Sequence, residues 1–192
     1  MEREKPSNRR AATPLDGSKL ERLALHYVER FATTRARLIA YLNRKIRERG
    51  WEGPAADTAS LADRMVTLGY VDDRAFASAR AASMVRRGLG GRRIGDALRA
   101  AGVGGDDARA VAPVIARGAL DAAIAFARRK RLGPFAAVAP DRQLRERQLA
   151  TMIRAGHSFD LARKIIAIAP GDETALDMLK SGEEGFCSFD IS

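Results

Sequence analysis

The sequence predicts an all-α fold built from tandem three-helix repeats that form an elongated, curved helical array. Apolar residues in each long segment recur at the three- and four-residue spacing of one helical face, and no stretch alternates apolar and polar residues as a half-buried strand would. Glycine, proline and aspartate separate these segments where helices would end and begin. A related pattern returns about every 50 residues, and small helical units repeated in this way pack on their neighbours.

The first predicted repeat covers residues 18–71. It follows a leader, residues 1–17, which mixes charge with proline and glycine and is expected to be disordered. The expected helices of this repeat lie at about residues 18–31, 33–50 and 57–69. Gly69 suits a left-handed end for the third helix. The positions expected in the core share the helical period: Leu20, Leu23, Ala24, Tyr27, Val28, Phe31, Leu38, Leu42, Ile46, Leu61, Met65 and Leu68.

The second predicted repeat covers residues 72–112. Its first helix is capped by Asp72 or Asp73 and ends at Gly88, its second spans residues 91–101, and its third begins at one of two further aspartates, Asp106 or Asp107. Pro113 leaves two alternatives, because a proline either kinks a helix from its interior or opens the next helix at its first position.

The third predicted repeat covers residues 113–170, with helices expected at about residues 113–131, 141–155 and 158–168. Its second helix repeats a pattern of the second repeat, since Gln148, Met152 and Gly156 match the spacing of Ile94, Leu98 and Gly102. Residues 171–192 hold six acids and one base and are expected to form an acidic, flexible tail.

Arginine dominates the charge of the chain. The 34 basic residues exceed the 24 acidic ones by ten, and 28 of the 34 are arginine. Because residues 171–192 carry a charge of −5, the remaining chain carries +15. The planar guanidinium fork suits phosphate and carboxylate, so acidic or phosphate-bearing partners are expected. An arginine bias of the source genome is the alternative explanation of the excess.

The expected compartment is the cytoplasm. The single cysteine, Cys187, allows no intramolecular disulfide, which favours a reducing environment. No window contains the roughly 18 apolar residues of a membrane span, and the N-terminal residues contain no apolar signal core, so export and membrane insertion are not expected.

Two stretches, residues 69–77 and 87–103, resemble the signature of the RecX family of bacterial regulatory proteins. They carry, in order, the following motifs: Gly69-Tyr70-Val71-Asp72-Asp73, Phe76-Ala77, Gly88-Leu89-Gly90, Arg93-Ile94, Leu98 and Gly102-Val103. The resemblance extends over about residues 20–168. It implies three tandem three-helix repeats that bind the RecA protein, lie along its filament on single-stranded DNA and restrain filament growth and activity. The sequence departs from the family in having His157 where a large aromatic residue usually follows Gly156, and in a longer connector at residues 50–57.

The aspartates of the first stretch are expected to accept hydrogen bonds from free helix amides, because no histidine or glutamate stands at metal-ligand or acid-base spacing nearby. Tyr70 and Phe76 are expected to anchor the core. The glycine-rich linker at residues 86–93 leaves two alternatives, a phosphate-binding contact with an acidic partner or an interhelical turn with solvated arginines. Packing is favoured over a partner contact for Trp51.

No catalytic residue, cofactor or metal site is expected, since His26 and His157 lie far apart and the serines lack a nucleophile context. The chain is therefore interpreted as non-enzymatic, and the resemblance to the RecX family implies a monomeric regulator of RecA. The alternative is a helical repeat protein that binds nucleic acid directly. The candidate contact residues are basic side chains of the linkers and second helices: Arg44, Lys45, Arg86, Arg87, Arg92, Arg93, Arg99, Arg128, Arg129, Lys130, Arg131, Arg145, Arg147 and Arg154.

Overall fold

The computed structural model describes residues 13–182, and over this range the protein is helical. Ten α-helices and one short 3-10 helix occur within it: α1 (Gly17–Arg30), α2 (Arg35–Arg49), α3 (Thr58–Thr67), α4 (Asp73–Arg86), α5 (Gly91–Arg99), α6 (Gly105–Arg117), α7 (Ala119–Lys130), the 3-10 helix (Gly133–Phe135), α8 (Arg142–Arg154), α9 (Phe159–Ala167) and α10 (Glu173–Ser181). The one bridge of β type in the described range joins Leu15 to Trp51. The predicted all-α fold is confirmed.

The described residues divide into two compact units. The first holds residues up to 76 together with 101–103, and the second holds residues 77–100 and 104 onward. In chain order the helices α1–α3, α4–α6 and α7–α9 form three sets of three. The predicted repeat boundary at Pro113, however, falls inside α6, and the rest of the division into repeats stays a prediction.

The core of the first unit is made by the apolar faces of α1, α2 and α3. Each of these helices begins at a capping side chain that accepts a hydrogen bond from a backbone amide three residues on, namely Asp16, Thr34 and Asp57. The side chains buried in this core are Leu15, Leu20, Ala24, Leu38, Leu42, Ala62, Met65 and Val71. Trp51 packs against the same core, and its indole N–H donates to the Pro54 carbonyl at 2.6 Å. The sequence favoured a packing role for Trp51, and the ring does pack against this core.

The leader ends earlier than the sequence predicts. Leu15 is fully buried, its amide donates to the Gly50 carbonyl at 3.0 Å, and its carbonyl accepts from the Glu52 amide at 2.8 Å. Residues 13–17 are therefore part of the first unit. A single buried leucine has no periodicity, so the pattern of apolar residues could not identify it. Residues 1–12 lie outside the described residues.

The two aspartates after Gly69 both serve helix starts, as predicted, but at different helices. Asp72 accepts from the Ala75 amide at 2.8 Å and caps α4, whereas Asp73 accepts from the Arg35 amide at 2.7 Å at the start of α2. The predicted core anchors are partly wrong. Tyr70 and Leu68 are 50% and 59% exposed, and Val71 is the residue buried at this turn.

Phe76 is half-buried, and the Arg37 guanidinium lies 5.3 Å from the centre of its ring. The prediction that Phe76 anchors the core is therefore only partly right, because its ring packs beneath a cation rather than in the apolar core. Contacts of this kind between arginine and an aromatic face are favourable.

Pro113 lies in the interior of α6, which settles the choice between the two alternatives. The proline and both of its neighbours are exposed, so the missing amide hydrogen bond lies at the surface rather than in the core. The helix predicted at residues 113–131 is therefore two elements, the end of α6 and the whole of α7. α6 begins after Gly104 without a side-chain cap, and Asp106 and Asp107 lie in its first turn instead.

The first part of the predicted flexible tail is helical. Asp172 accepts from the Ala175 amide at 2.9 Å and begins α10, and Leu176 is buried in the core of the second unit. The prediction from acidic composition missed a short apolar face, in which Leu176 and Leu179 lie at helical spacing. Residues 183–192 lie outside the described residues.

Among the described residues no single helix is long and apolar enough to cross a membrane. One pair of helices, spanning residues 105–117 and 119–135, reaches the required length and composition jointly, but is bent by 62° at the break.

Candidate basic interface

The linker between α4 and α5 lies against the end of α8 in the second unit. The Gly90 amide donates to the Ala155 carbonyl at 3.0 Å, and the Arg92 amide donates to the Gly156 carbonyl at 3.1 Å. A Cβ atom on Gly90 would lie 2.1 Å from the carbonyl carbon of Gly156, so only glycine fits there. Free amides at the start of α5 thus satisfy free carbonyls at the end of α8.

The same linker contacts α7 through Gly88. Gly88 has a φ of +74°, and a Cβ atom there would lie 3.0 Å from the Ala122 carbonyl oxygen. The Gly88 and Leu89 amides donate to carbonyls at the end of α4. The amides of Gly88, Leu89, Gly90 and Arg92 are therefore engaged by main-chain carbonyls and do not form a cradle for an anion.

His157 is buried where these elements meet. Its ring is 5% exposed, lies 5.4 Å from the Phe126 ring and is hydrogen-bonded to the Gly88 backbone, while Nε2 has no partner. Burial lowers the pKa of His157 below its usual value, and the Gly88 hydrogen bond offsets part of that effect. The ring is consequently a neutral packing element of this junction.

Two arginine side chains fasten the basic segments to one another. The Arg92 guanidinium donates to the Ile153 carbonyl at 2.7 Å, and that of Arg129 donates to the Arg87 carbonyl at 2.7 Å. Because of these bonds, residues 86–93 adjoin both the end of α8 and the end of α7. We call the exposed side chains of these segments the basic cluster: Arg86, Arg87, Arg92, Arg93, Arg128, Arg129, Lys130 and Arg154.

Two members of the basic cluster on α7, Arg128 and Arg129, lie over aromatic rings. The Arg129 guanidinium lies 5.4 Å from the centre of the Phe126 ring, and that of Arg128 lies 4.8 Å from the centre of the Phe135 ring. These cation–π contacts hold long, flexible side chains in place while the charged groups stay in solvent.

The other candidate residues lie outside the basic cluster, although the Arg131 amide donates to the Arg128 carbonyl at 3.2 Å. Arg99 forms an ion pair with Asp96, and Arg145 and Arg147 are exposed on α8. Arg131, with a φ of +55°, is the left-handed residue that ends α7. Arg44 and Lys45 lie in the first unit, where both pair with Glu48.

The sequence gives no signal for the anchoring of Arg92 and Arg129 on distant carbonyls. The two glycines Gly90 and Gly156 could have indicated that the linker and the end of α8 approach closely.

No group of three or more His, Cys, Asp or Glu side chains suited to a metal ion exists among the described residues. A cavity of about 650 Å³ in the first unit is lined in part by Glu21, Asp57 and Arg64. These side chains already have partners, since Glu21 pairs with Arg64 and Asp57 caps α3.

Over the described residues the protein is helical, and its second unit carries a cluster of exposed basic side chains, three of which are held by hydrogen bonds or aromatic rings. The chain is 37% identical over 163 residues to the regulatory protein RecX of Myxococcus xanthus, covering 79% of this chain and 86% of that protein. It is 29% identical over 160 residues to the regulatory protein RecX of Agrobacterium fabrum, covering 81% and 85% of the two chains. No family model matches the sequence.

Solved structures agree on the fold. The crystal structure of RecX from Lactobacillus salivarius aligns with a TM-score of 0.57 at 15% identity, covering 85% of this chain and 96% of that one. A second crystal structure of a regulatory protein RecX aligns with a TM-score of 0.56 at 21% identity, covering 77% and 70%. From the identity and coverage of the Myxococcus relative, the chain belongs to the RecX family of regulatory proteins.

Proposed function

We propose that this protein binds RecA and its filament on single-stranded DNA and inhibits the recombinase, ATPase and coprotease activities of RecA. It acts without catalysis of its own, as a cytoplasmic monomer, in DNA repair, recombination and the SOS response. Membership of the RecX family supports the regulatory role. The observation that carries the contact site is the basic cluster, in which Arg92 donates to the Ile153 carbonyl in the last turn of α8 and Arg129 donates to the Arg87 carbonyl just after α4.

Preorganisation is the physical reason for choosing this cluster. An arginine that binds a partner ordinarily loses rotamer freedom, at a cost of about 0.5–1.5 kcal/mol for each side chain. Arg92 and Arg129 are already held by hydrogen bonds, and Arg128 by an aromatic ring, so less freedom remains to be lost. Phosphates of the filament DNA and acidic side chains of its protein both suit such guanidinium groups.

The test is the ATPase activity of RecA on single-stranded DNA, titrated with this protein. A fall in activity at substoichiometric protein would support action on filament growth, whereas a fall only at stoichiometric amounts would indicate competition for DNA. No fall at any ratio contradicts the inhibitory function.

The site is tested with the double variant Arg86→Glu/Arg93→Glu, because neither side chain has a partner in the described residues. Inhibition is expected to weaken by about tenfold or more, since two favourable charge contacts become repulsive. Thermal unfolding should change little, because both arginines are exposed. The matched control is Arg117→Glu/Arg163→Glu, which makes the same change of charge at exposed sites on α6 and α9. Equal weakening by both pairs would assign the effect to net charge and remove the cluster from the site.

Direct binding of nucleic acid is the second candidate function. The composition of α2 favours it, because this helix carries six basic residues and one acid. Binding to naked single-stranded DNA that equals binding to the filament would favour this candidate.

A further inference from the structure

Three aromatic rings form a ladder on α1 and α2 of the first unit. The rings of Tyr27 and Tyr41 are stacked, with centres 4.1 Å apart and planes at 15°, and the Phe31 ring lies 5.3 Å from that of Tyr27 at 43°. Both tyrosines are half-buried against the core, so the inner part of the ladder is fixed. Phe31 follows the last residue of α1 and is 56% exposed. The ladder is therefore rigid at one end and open at the other.

Cations lie at both ends of this ladder. Arg44 and Lys45 are within 5.6 Å and 5.9 Å of the centre of the Tyr41 ring. Arg30, the neighbour of Phe31 in sequence, is exposed, and its guanidinium lies 3.4 Å from His26 Nε2. Glu48 pairs with Arg44 and Lys45, and Asp63 of α3 pairs with Arg35 of α2. Five net positive charges remain on α2 alone, from six bases and one acid.

We propose that the open face of Phe31 is a stacking site for an unpaired nucleobase, and that the cations of α1 and α2 hold the adjoining phosphates of a single-stranded nucleic acid. Every base has an aromatic face, so a ring that is exposed and held in place binds single strands with little sequence preference. Paired bases in a duplex keep their faces stacked on one another, and the ring cannot reach them. A positive helix with an exposed aromatic ring at its edge fits this ligand better than an apolar protein surface, which would leave the charges without partners.

This site is separate from the RecA interaction proposed above, and it rests on and deepens the second candidate function, direct binding of nucleic acid. It lies in the first unit, it needs no RecA, and it is tested with RecA absent. Failure of the Phe31 site therefore leaves the RecA interaction standing, and oligothymidine binding that does not depend on Phe31 leaves the second candidate function standing.

The experiment measures anisotropy of a fluorescent oligothymidine titrated with the full chain at low salt. Phe31→Ala should weaken binding roughly tenfold, the loss typical of one base–aromatic stack. Phe31→Trp should restore binding, and its added indole fluorescence should be quenched by the oligonucleotide but not by a duplex. Phe31→Leu keeps the apolar area without an aromatic face and should stay weak.

The matched control is Phe159→Ala, which removes a ring that is 55% exposed in the second unit and should leave binding unchanged. A blunt duplex should bind wild type and Phe31→Ala alike, because only charge contributes there. Wild-type affinity of Phe31→Ala or Phe31→Leu for oligothymidine would overturn the proposal. Equal loss in Phe159→Ala would do the same, since the effect would then not belong to this ladder.

Discussion

The backbones of Gly90 and Gly156 meet with no room for a methyl group between them. Gly90→Ala should lower the free energy of unfolding by about 3 kcal/mol, because the added Cβ would displace main-chain atoms of α8 rather than a flexible side chain. Urea denaturation followed by circular dichroism measures the change. The variant should also weaken inhibition of RecA, since Arg92 depends on the same contact.

Gly95 provides the control within the same helix. A Cβ atom there would meet only the end of the Arg99 side chain at 3.7 Å. Gly95→Ala should therefore raise the free energy of unfolding by up to about 1 kcal/mol, the gain in helix propensity. Equal destabilisation by both variants would show that the close approach at Gly90 is not the cause.

His157 should make stability depend on pH. Because burial lowers its pKa in the folded state, the unfolded chain binds the proton more readily as the pH falls below about 6.5. The free energy of unfolding is therefore expected to be highest above that pH and to fall from there toward the lower pKa of the folded state. Urea denaturation of the wild type at about pH 7.5 and about pH 5.5, above and below the ordinary histidine pKa of about 6.5, measures the loss.

His157→Phe should reduce this dependence on pH, since it keeps a ring beside Phe126 and removes the titrating group. His26→Gln is the control, because His26 is exposed and is the only other histidine. A pH dependence that survives in His157→Phe would assign the loss to other groups. The carboxylates with lowered pKa values, such as Asp57 and Asp63, contribute at lower pH than this window.

Periodicity predicted which face of a helix is buried. It did not predict where along that face the burial ends. Met65 is buried and Leu68 is exposed, although both lie on the predicted face of α3. Leu68 still continues the helical backbone, but the chain turns at Gly69 and Val71 takes the buried position at this end of α3. The capping role of Asp72 was readable from its position, whereas the contact of Asp73 with α2 depends on the tertiary fold.

At the scale of elements, the proline inside α6 makes the folded protein less stable than it could be. Pro113 removes one hydrogen bond from the helix interior while contributing no buried surface. Pro113→Ala should raise the free energy of unfolding by about 2 kcal/mol, because the restored hydrogen bond outweighs the added freedom of the unfolded chain. Thermal denaturation measures this change. Pro140→Ala, in the loop before α8, should not stabilise, and a similar gain there would point to a general effect of removing proline.

Five helices that begin at a capping side chain were predicted closely, whereas the break between α6 and α7, which has no such cap, was not. Asp16, Thr34, Asp57, Asp141 and Ser158 mark the starts of five helices within a residue or two of the predicted positions. The break between α6 and α7 was misplaced because it depends on Gly118, where a Cβ atom would lie 2.5 Å from a Val85 methyl group. That contact joins residues far apart in sequence, so no local pattern indicates it.

At the scale of the whole molecule, the fold class and the charge could be predicted, but the arrangement of the arginines could not. Fourteen candidate side chains were chosen for their charge and position in the sequence. In the structure, eight of them lie exposed on three segments that are joined by bonds from Arg92 and Arg129 to distant carbonyls. The family signature contains the glycines that permit this arrangement, but the bonds themselves form only when α5, α7 and α8 are packed.

The acidic C-terminal residues provide the last prediction. Residues 171–192 carry a charge of −5, and the rest of the chain carries a charge of +15. We predict that these residues compete with acidic partners for the basic cluster. Removing all of them would also remove α10 and uncover the core around Leu176, so loss of stability would obscure the result. Deleting residues 183–192 alone removes three acids and keeps α10.

This shorter deletion should tighten binding to single-stranded DNA, and the gain should shrink as salt shortens the Debye length, which is about 10 Å at 0.1 M. Anisotropy of a labelled oligonucleotide at several salt concentrations measures both effects. Adding residues 183–192 back as a separate peptide should restore the weaker binding if the sequence recognises the basic surface. A scrambled peptide of the same composition is the control, and equal inhibition by the two peptides would mean that the segment acts only through its charge.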